Sequence, residues 1–428
     1  MLTPRCAITA RTWIFVLPVL VSPLTVVGED WPTFRGPQRT GVSTETGLLK
    51  SWPESGPKLL WKADGVGRGY SSLAVGNGRI FTLGDGLTEE DKDEYLIAVD
   101  QKSGKFLWKT KTGGPWTNGQ SSWQSSRSTP STDGTLVYVI SPHGVLVACD
   151  VTNGDEKWHV DLMQEYGGKK GDIWGYSESP TVDGDLLLCT PGGDESTVVA
   201  LKKSTGELVW KVAQPGNRGA GHSSAVITEI GGVKVYVQVT AAGALGIRAS
   251  DGALLWNYPI ERTTAVIPTP IVKEDLVFVV AGYKRGAALL RQKPAADNKV
   301  EIEEIYGMKP PLANKHGGVV RIGDYVYGDS DDAGVPYCAE MLTGEVKWKA
   351  RASGKNSAAF SAADGYLYIH FANGTMVLAK ADPEEYKESG SFTVPETGER
   401  PSWAHPVITD GKLLLRENNA ILCYDIRE

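Results

Sequence analysis

Aspartate, then glycine four residues on, then tryptophan four beyond that: this spacing returns along the chain and limits the folds open to it. Asp100–Gly104–Trp108 and Asp150–Gly154–Trp158 are full copies. Lys202–Gly206–Trp210, Arg248–Gly252–Trp256 and Glu340–Gly344–Trp348 keep the glycine and the tryptophan. A period of roughly 40–50 residues marks an array of like units, each too small to bury its own apolar face.

Every unit has the same internal order. A small polar opener leads into a short strand. A turn such as Gly76-Asn77-Gly78 or Asp183-Gly184 follows, then a second apolar strand such as Leu136–Ile140. A third strand ends at the aspartate position, as in Tyr95–Asp100. The glycine predicts a left-handed residue in the next hairpin loop. The fourth strand carries the tryptophan, and a large flat side chain at one fixed slot per unit predicts packing between neighbouring units. Six of the 13 Trp residues take this slot: Trp61, Trp108, Trp158, Trp210, Trp256 and Trp348. Tyr306 and Phe392 take it in two degenerate units.

Eight openers can be read, beginning at Ser71, Ser128, Ser179, His222, Pro268, His316, Phe360 and His405. Four short antiparallel strands per unit make a propeller blade. The ends of the chain predict closure. The last unit reaches Glu428 without a tryptophan strand, whereas Lys58–Lys62 carries Trp61 ahead of any opener. The expected fold is therefore all-β: an eight-bladed β-propeller whose N-terminal strand completes the last blade and leaves no free sheet edge. Residues 57–428 form it, preceded by an N-terminal extension at 29–56. The 50 Gly and 24 Pro suit many tight turns.

Residues 1–28 read as a secretory signal, with Arg5 and Arg11 ahead of a mostly apolar run from Thr12 to Val27. The run is short for a membrane span and holds Pro18 and Pro23. The expected protein is thus exported, to the periplasm or beyond, with no membrane span once the signal is removed. Removal changes the net charge from −7 to −9, which excludes nucleic acid as a partner through the overall field. Cys149, Cys189, Cys338 and Cys423 sit in apolar strand-like runs without metal-ligand spacing and read as buried free thiols, although Cys149 and Cys189 lie in neighbouring units.

The repeat resembles that of the PQQ-like (pyrroloquinoline-quinone) β-propeller family. Ala98-Val99-Asp100 and Ala148-Cys149-Asp150 match the start of its hallmark, and Thr205-Gly206 and Thr343-Gly344 match the middle. The likeness runs over residues 31–427. Trp31-Pro32-Thr33-Phe34-Arg35-Gly36-Pro37 is similar to the opening of a group of exported bacterial propellers. The family holds quinoprotein alcohol dehydrogenases, which use the quinone and calcium. It also holds the propeller subunit of the outer-membrane barrel-assembly machinery, which binds no cofactor. A shared fold does not carry function across.

In a propeller, the loops leading into the first strands gather on one face near the axis. Here those loops hold the unusual residues: Trp116, Asn118, Trp123 and Arg127 before blade two, and Asp172, Trp174, Tyr176 and Glu178 before blade three. His222, Asn314, His316, Lys355, Asn356, Trp403 and His405 follow in later loops. A polar, aromatic-walled pocket for a flat or sugar-like ligand would draw on Arg127, Trp123, Trp174, Glu178, His222, His316, Trp403 and His405. The dehydrogenase resemblance implies sharper roles: Trp174 or Trp403 as the quinone floor, Arg127 at the quinone oxygens, Glu178, Asn118 or Asp172 on calcium, and Glu178 or Asp172 as base. Against it, the chain lacks the adjacent Cys-Cys pair of many such enzymes, their large inserted loops and a haem-attachment Cys-x-x-Cys-His. Asp329 to Glu340 mimics a calcium loop, but Ala333 replaces a ligand. The expected function is a monomeric binding or scaffolding module without cofactor, taking an envelope protein, peptide or saccharide at the lead-in face. The alternative is a PQQ- and calcium-dependent alcohol dehydrogenase.

Overall fold

The computed structural model describes Met1 and residues 30–428, except 87, 89, 332, 396 and 397. The expected signal, Met1 aside, lies outside the described residues. Within them the chain forms eight four-stranded sheets. Blade one runs Ala74–Gly76, Arg79–Asp85, Glu94–Asp100 and Phe106–Gly113, each strand antiparallel to the next. The eighth blade takes Val407–Thr409, Lys412–Glu417 and Ala420–Asp425 from the C-terminus and Lys58–Asp64 from the N-terminal side. Lys58 pairs with Asp425 and Trp61 with Cys423, so the ring closes as the sequence predicts. No described helix is long and apolar enough to cross a membrane.

Burial follows from the stacking. The second and third strands of a blade are covered on both faces by neighbouring blades, and Leu276–Ala281 is buried at every position. The outermost strand turns one side to water, and Phe106–Gly113 exposes Phe106 and Leu107. Among the described residues the core divides into eight apolar clusters, one at each blade interface. All four described cysteines are buried and free.

The repeated glycine and tryptophan prove to be two halves of one contact. Where both residues are present, the tryptophan of one blade lies over the glycine of the next: a Cβ on Gly154 would stand 2.5 Å from the Trp108 ring, and one on Gly206 would stand 2.8 Å from Trp158. The indole N–H of Trp108 then donates to Val151 O at 3.1 Å, and that of Trp158 to Lys203 O at 3.1 Å. The degenerate units keep the arrangement, with Tyr306 over Gly344. The eighth blade shows it in permuted form. Phe392 lies 2.6 Å from a Cβ built on Gly56, which has φ +76° and precedes the closing strand, close to the φ +77° of Gly154. Gly56 is therefore the repeat glycine of the last unit, placed at the other end of the sequence.

Residues 31–43 do not follow the outside of the ring. Trp31 bridges to Val75, and Thr132 N donates to Pro32 O at 2.8 Å, both next to hairpin turns. Thr33 Oγ1 meets Ser131 Oγ at 2.6 Å and Ser179 Oγ at 3.1 Å. Arg39 donates to Pro180 O at 2.6 Å, in the lead-in to blade three. Arg35 donates to Thr40 O at 2.8 Å and to Val319 O at 2.6 Å, in the lead-in to blade six. The segment leaves alongside blade seven, where Ser43 N donates to Ala362 O at 2.8 Å. It thus crosses the channel and stops it. Trp31, Arg35 and Arg39 are all buried.

Candidate functional site

A cavity of about 710 Å³ lies on the lead-in side of this stopper. Each blade's lead-in contributes to its lining, through Tyr70, Arg127, Ser177, His222, Thr269, His316, Ser357 and His405 in turn. Walls drawn from all eight units put the cavity on the propeller axis. Phe34 and Arg35 of the stopper form its floor. The result is a cup with one mouth.

One wall is a continuous aromatic and cationic surface. His316 stacks on Trp403 with ring centroids 4.3 Å apart, and Trp403 tilts against Tyr70 at 4.7 Å. Tyr70 lies between two guanidiniums, Arg127 at 5.2 Å and Arg400 at 5.0 Å from its ring centre. Arg127 donates to the carbonyls of Ser125 at 3.0 Å, Trp174 at 3.4 Å and Trp123. Arg400 donates to the carbonyls of Ser121 at 3.1 Å and Gln124. These bonds tie the loops before blades two, three and eight together. Burial pulls the Arg127 guanidinium down to about 10, still charged at neutral pH.

The opposite wall holds a relay. His222 Nε2 lies 2.7 Å from Asp172 Oδ2, and its Nδ1 hydrogen-bonds Ser177 Oγ. A carboxylate can only accept, so Nε2 carries the proton and Nδ1 accepts from the serine. Burial opposes ionisation of Asp172, but His222 and Lys170 outweigh it and hold the carboxyl below the usual range. Burial, partly offset by Asp172, also holds His222 below ordinary histidine. His405 sits edge-on to Phe34 at 4.8 Å, and burial beside Arg35 pulls it down to about 3.

The structure brings Arg127, Trp123, Trp174, His222, His316, Trp403 and His405 into one lining. Glu178 is outside it. Its carboxylate accepts from Thr190 N at 2.7 Å and from Gln238 Nε2 at 3.0 Å, and burial pushes it up to about 7. Asn118 is exposed and also outside the lining. Glu178, Asp172 and Asn118 therefore build no oxygen cage for calcium. Among the described residues no three His, Cys, Asp or Glu side chains are placed to hold a metal ion. Trp174, Trp403 and Arg127, the residues nominated for a quinone, share the lining, while the nominated calcium ligands Glu178, Asn118 and Asp172 lie outside it.

Several lining residues escape the sequence reading, among them Arg35, Tyr70, Lys315, Glu399 and Arg400. Arg35 lies in the quoted Trp31–Pro37 stretch, but nothing local tells that this stretch re-enters the channel. Tyr70, Lys315 and Arg400 lie close before the openers at Ser71, His316 and His405, and that position is the signal that could have found them.

The profile of the family described as outer membrane protein assembly factor BamB, built on PQQ-type repeats, matches residues 26–172 and 92–350. A curated outer membrane protein assembly factor BamB from Moranella endobia (strain PCIT) is 21% identical over 260 residues. That match covers 56% of this chain and 59% of the relative, so the chain spans only part of that protein's length. Among solved structures, BamB from Moraxella catarrhalis superposes with a TM-score of 0.57 at 14% identity, covering 86% of this chain and 98% of that one. The quinohemoprotein alcohol dehydrogenase from Comamonas testosteroni gives 0.60 at 12% identity, covering 92% and 80%. At these identities the likeness is one of fold.

Proposed function

Since this chain belongs to the PQQ-type repeat propeller family typified by assembly factor BamB, we propose that it works as an exported binding module of the cell envelope, engaging its ligand or partner segment at the lead-in face. The observation that carries this reading is the stopped, single-mouthed cup walled by all eight lead-in loops. A concave site with aromatic walls and a few fixed polar groups is where a rigid scaffold binds. Kinship with a named assembly factor supports partner binding. The test is a thermal-shift assay with fractionated envelope extract. Stabilisation should be lost in Trp403→Ala at the cup and retained in Leu208→Ala on the exposed outer edge. Equal behaviour of the two variants refutes the reading.

The Ser177–His222–Asp172 relay supports a second reading, acyl transfer. The order is that of nucleophile, base and orienting carboxylate, although the ring nitrogens are used in the opposite sense to the serine proteases. Ser177 Oγ would attack an ester carbonyl carbon while its proton passes to His222 Nδ1. The proton would then go to the departing alkoxide, and water would cleave the acyl-enzyme by the same route. A fluorophosphonate probe tests this. An adduct on Ser177 that His222→Gln abolishes supports it, and an unmodified Ser177 refutes it.

A further inference from the structure

The cup has a chemical character that its mouth geometry does not explain. Among the described lining residues Arg35, Arg127, Lys315 and Arg400 are cationic, and Glu399 alone is acidic. This stands out in a chain of net charge −7. Among the described residues the guanidiniums of Arg35, Arg127 and Arg400 hydrogen-bond carbonyl or hydroxyl oxygens and no carboxylate. Arg35 is the extreme case. It is 2% exposed, it forms the floor, and its Nη1 is buried without a partner. A buried charge without a counter-charge is costly, and the cost falls when an anion sits above it.

Two further features narrow the anion. Trp123, 37% exposed in the lining, offers a flat apolar face, while Ser177 and Asn356 bring hydroxyl and amide groups to other parts of the lining. A flat face together with hydroxyl and amide groups suits a sugar ring, which has one apolar face and a rim of hydroxyls. We propose that the cup takes an acidic saccharide, a short sugar chain bearing carboxylate or sulfate groups, with Arg127 and Arg400 contacting the acidic group and Arg35 supplying the field beneath it. This rests on the lead-in face being the binding face.

The experiment is calorimetric titration of the protein with three probes: a galacturonic acid trisaccharide, its neutral galactose counterpart, and a sulfated galactose trisaccharide. At least one acidic probe should bind roughly ten-fold or more tightly than the neutral one, since charge-assisted hydrogen bonds are the stronger kind. Binding should weaken as salt rises. Arg127→Met and Arg400→Met should each remove most of the preference for the acidic probe. The difference between the two acidic probes separates carboxylate from sulfate. Neutral binding equal to acidic binding overturns the proposal and leaves the face intact as a binding site. No saccharide binding also overturns it, and if Trp403→Ala still abolishes stabilisation by envelope extract, only the ligand class is refuted. Far-ultraviolet circular dichroism of each variant checks that loss of binding is not loss of fold.

Discussion

Gly154 tests the contact on which the ring depends. Its φ is +77°, and an added Cβ would lie 2.5 Å from a Trp108 ring carbon and 2.7 Å from Thr110 Oγ1. Gly184 separates the two effects, since its φ is +58° but an added Cβ meets nothing within 4 Å. The left-handed conformation costs an alanine about 1–2 kcal/mol. Stiffening of the unfolded chain returns about 0.4–1 kcal/mol. Gly184→Ala should therefore destabilise by about 0–1.6 kcal/mol. Gly154→Ala carries the same backbone cost and adds overlap with the indole, about 1–3 kcal/mol for forced overpacking. Urea unfolding followed by fluorescence and circular dichroism, with matched slopes, measures the gap. The second half of the test is a mutant cycle. Removing the indole together with the Thr110 side chain (Trp108→Ala with Thr110→Ala) should bring the cost of Gly154→Ala down to that of Gly184→Ala. If Gly154→Ala and Gly184→Ala agree within about 0.5 kcal/mol, or if the cost survives the loss of both side chains, the interlock reasoning is refuted.

Two more perturbations follow from the same physics. Glu94 is buried against Thr112 and Ser126, and burial pushes its carboxyl up to about 8. Its folded-state value exceeds that of the unfolded chain, so the folded protein holds the extra proton between the two values. Stability from this group is present in full below the ordinary value of 4.5 and is lost progressively as pH rises from there through about 8. Glu94→Gln should flatten the fall in melting temperature between pH 5 and 8, and an unchanged slope would refute this. Trp31 is 3% exposed, packs between blades one and eight, and lies 3.1 Å from a Cβ built on Gly36. Trp31→Ala should cost about 3–5 kcal/mol in urea unfolding and loosen the stopper. A cost below about 1 kcal/mol would show that the segment merely lies in the channel.

The fold was legible because its determinants are local and repeated. Gly104, Gly154 and Gly206 each mark a hairpin, the tryptophans mark outer strands, and Trp61 ahead of the first opener requires circular closure. A periodic error would have broken every blade, so the signal was over-determined. Gly56 was missed because the ring over it, Phe392, stands at the far end of the chain.

The site divides the same way. Position in a lead-in loop was enough to nominate Arg127, Trp174, His222, His316 and His405, since propeller geometry carries every such loop to the axis. Whether a nominated side chain faces the cup depends on side-chain direction and on non-local partners. Glu178 turns away to Thr190 and Gln238 because a buried carboxyl seeks donors wherever they lie. Asp172 is taken by His222, 50 residues away. The sequence by itself determined the number of blades, their order and the closing strand, because each follows from residue spacing. Only the tertiary structure decided that residues 31–43 stop the channel and that Arg35 floors a cationic cup, because both depend on contacts such as Arg35 with Val319, 284 residues apart, that leave no period in the chain.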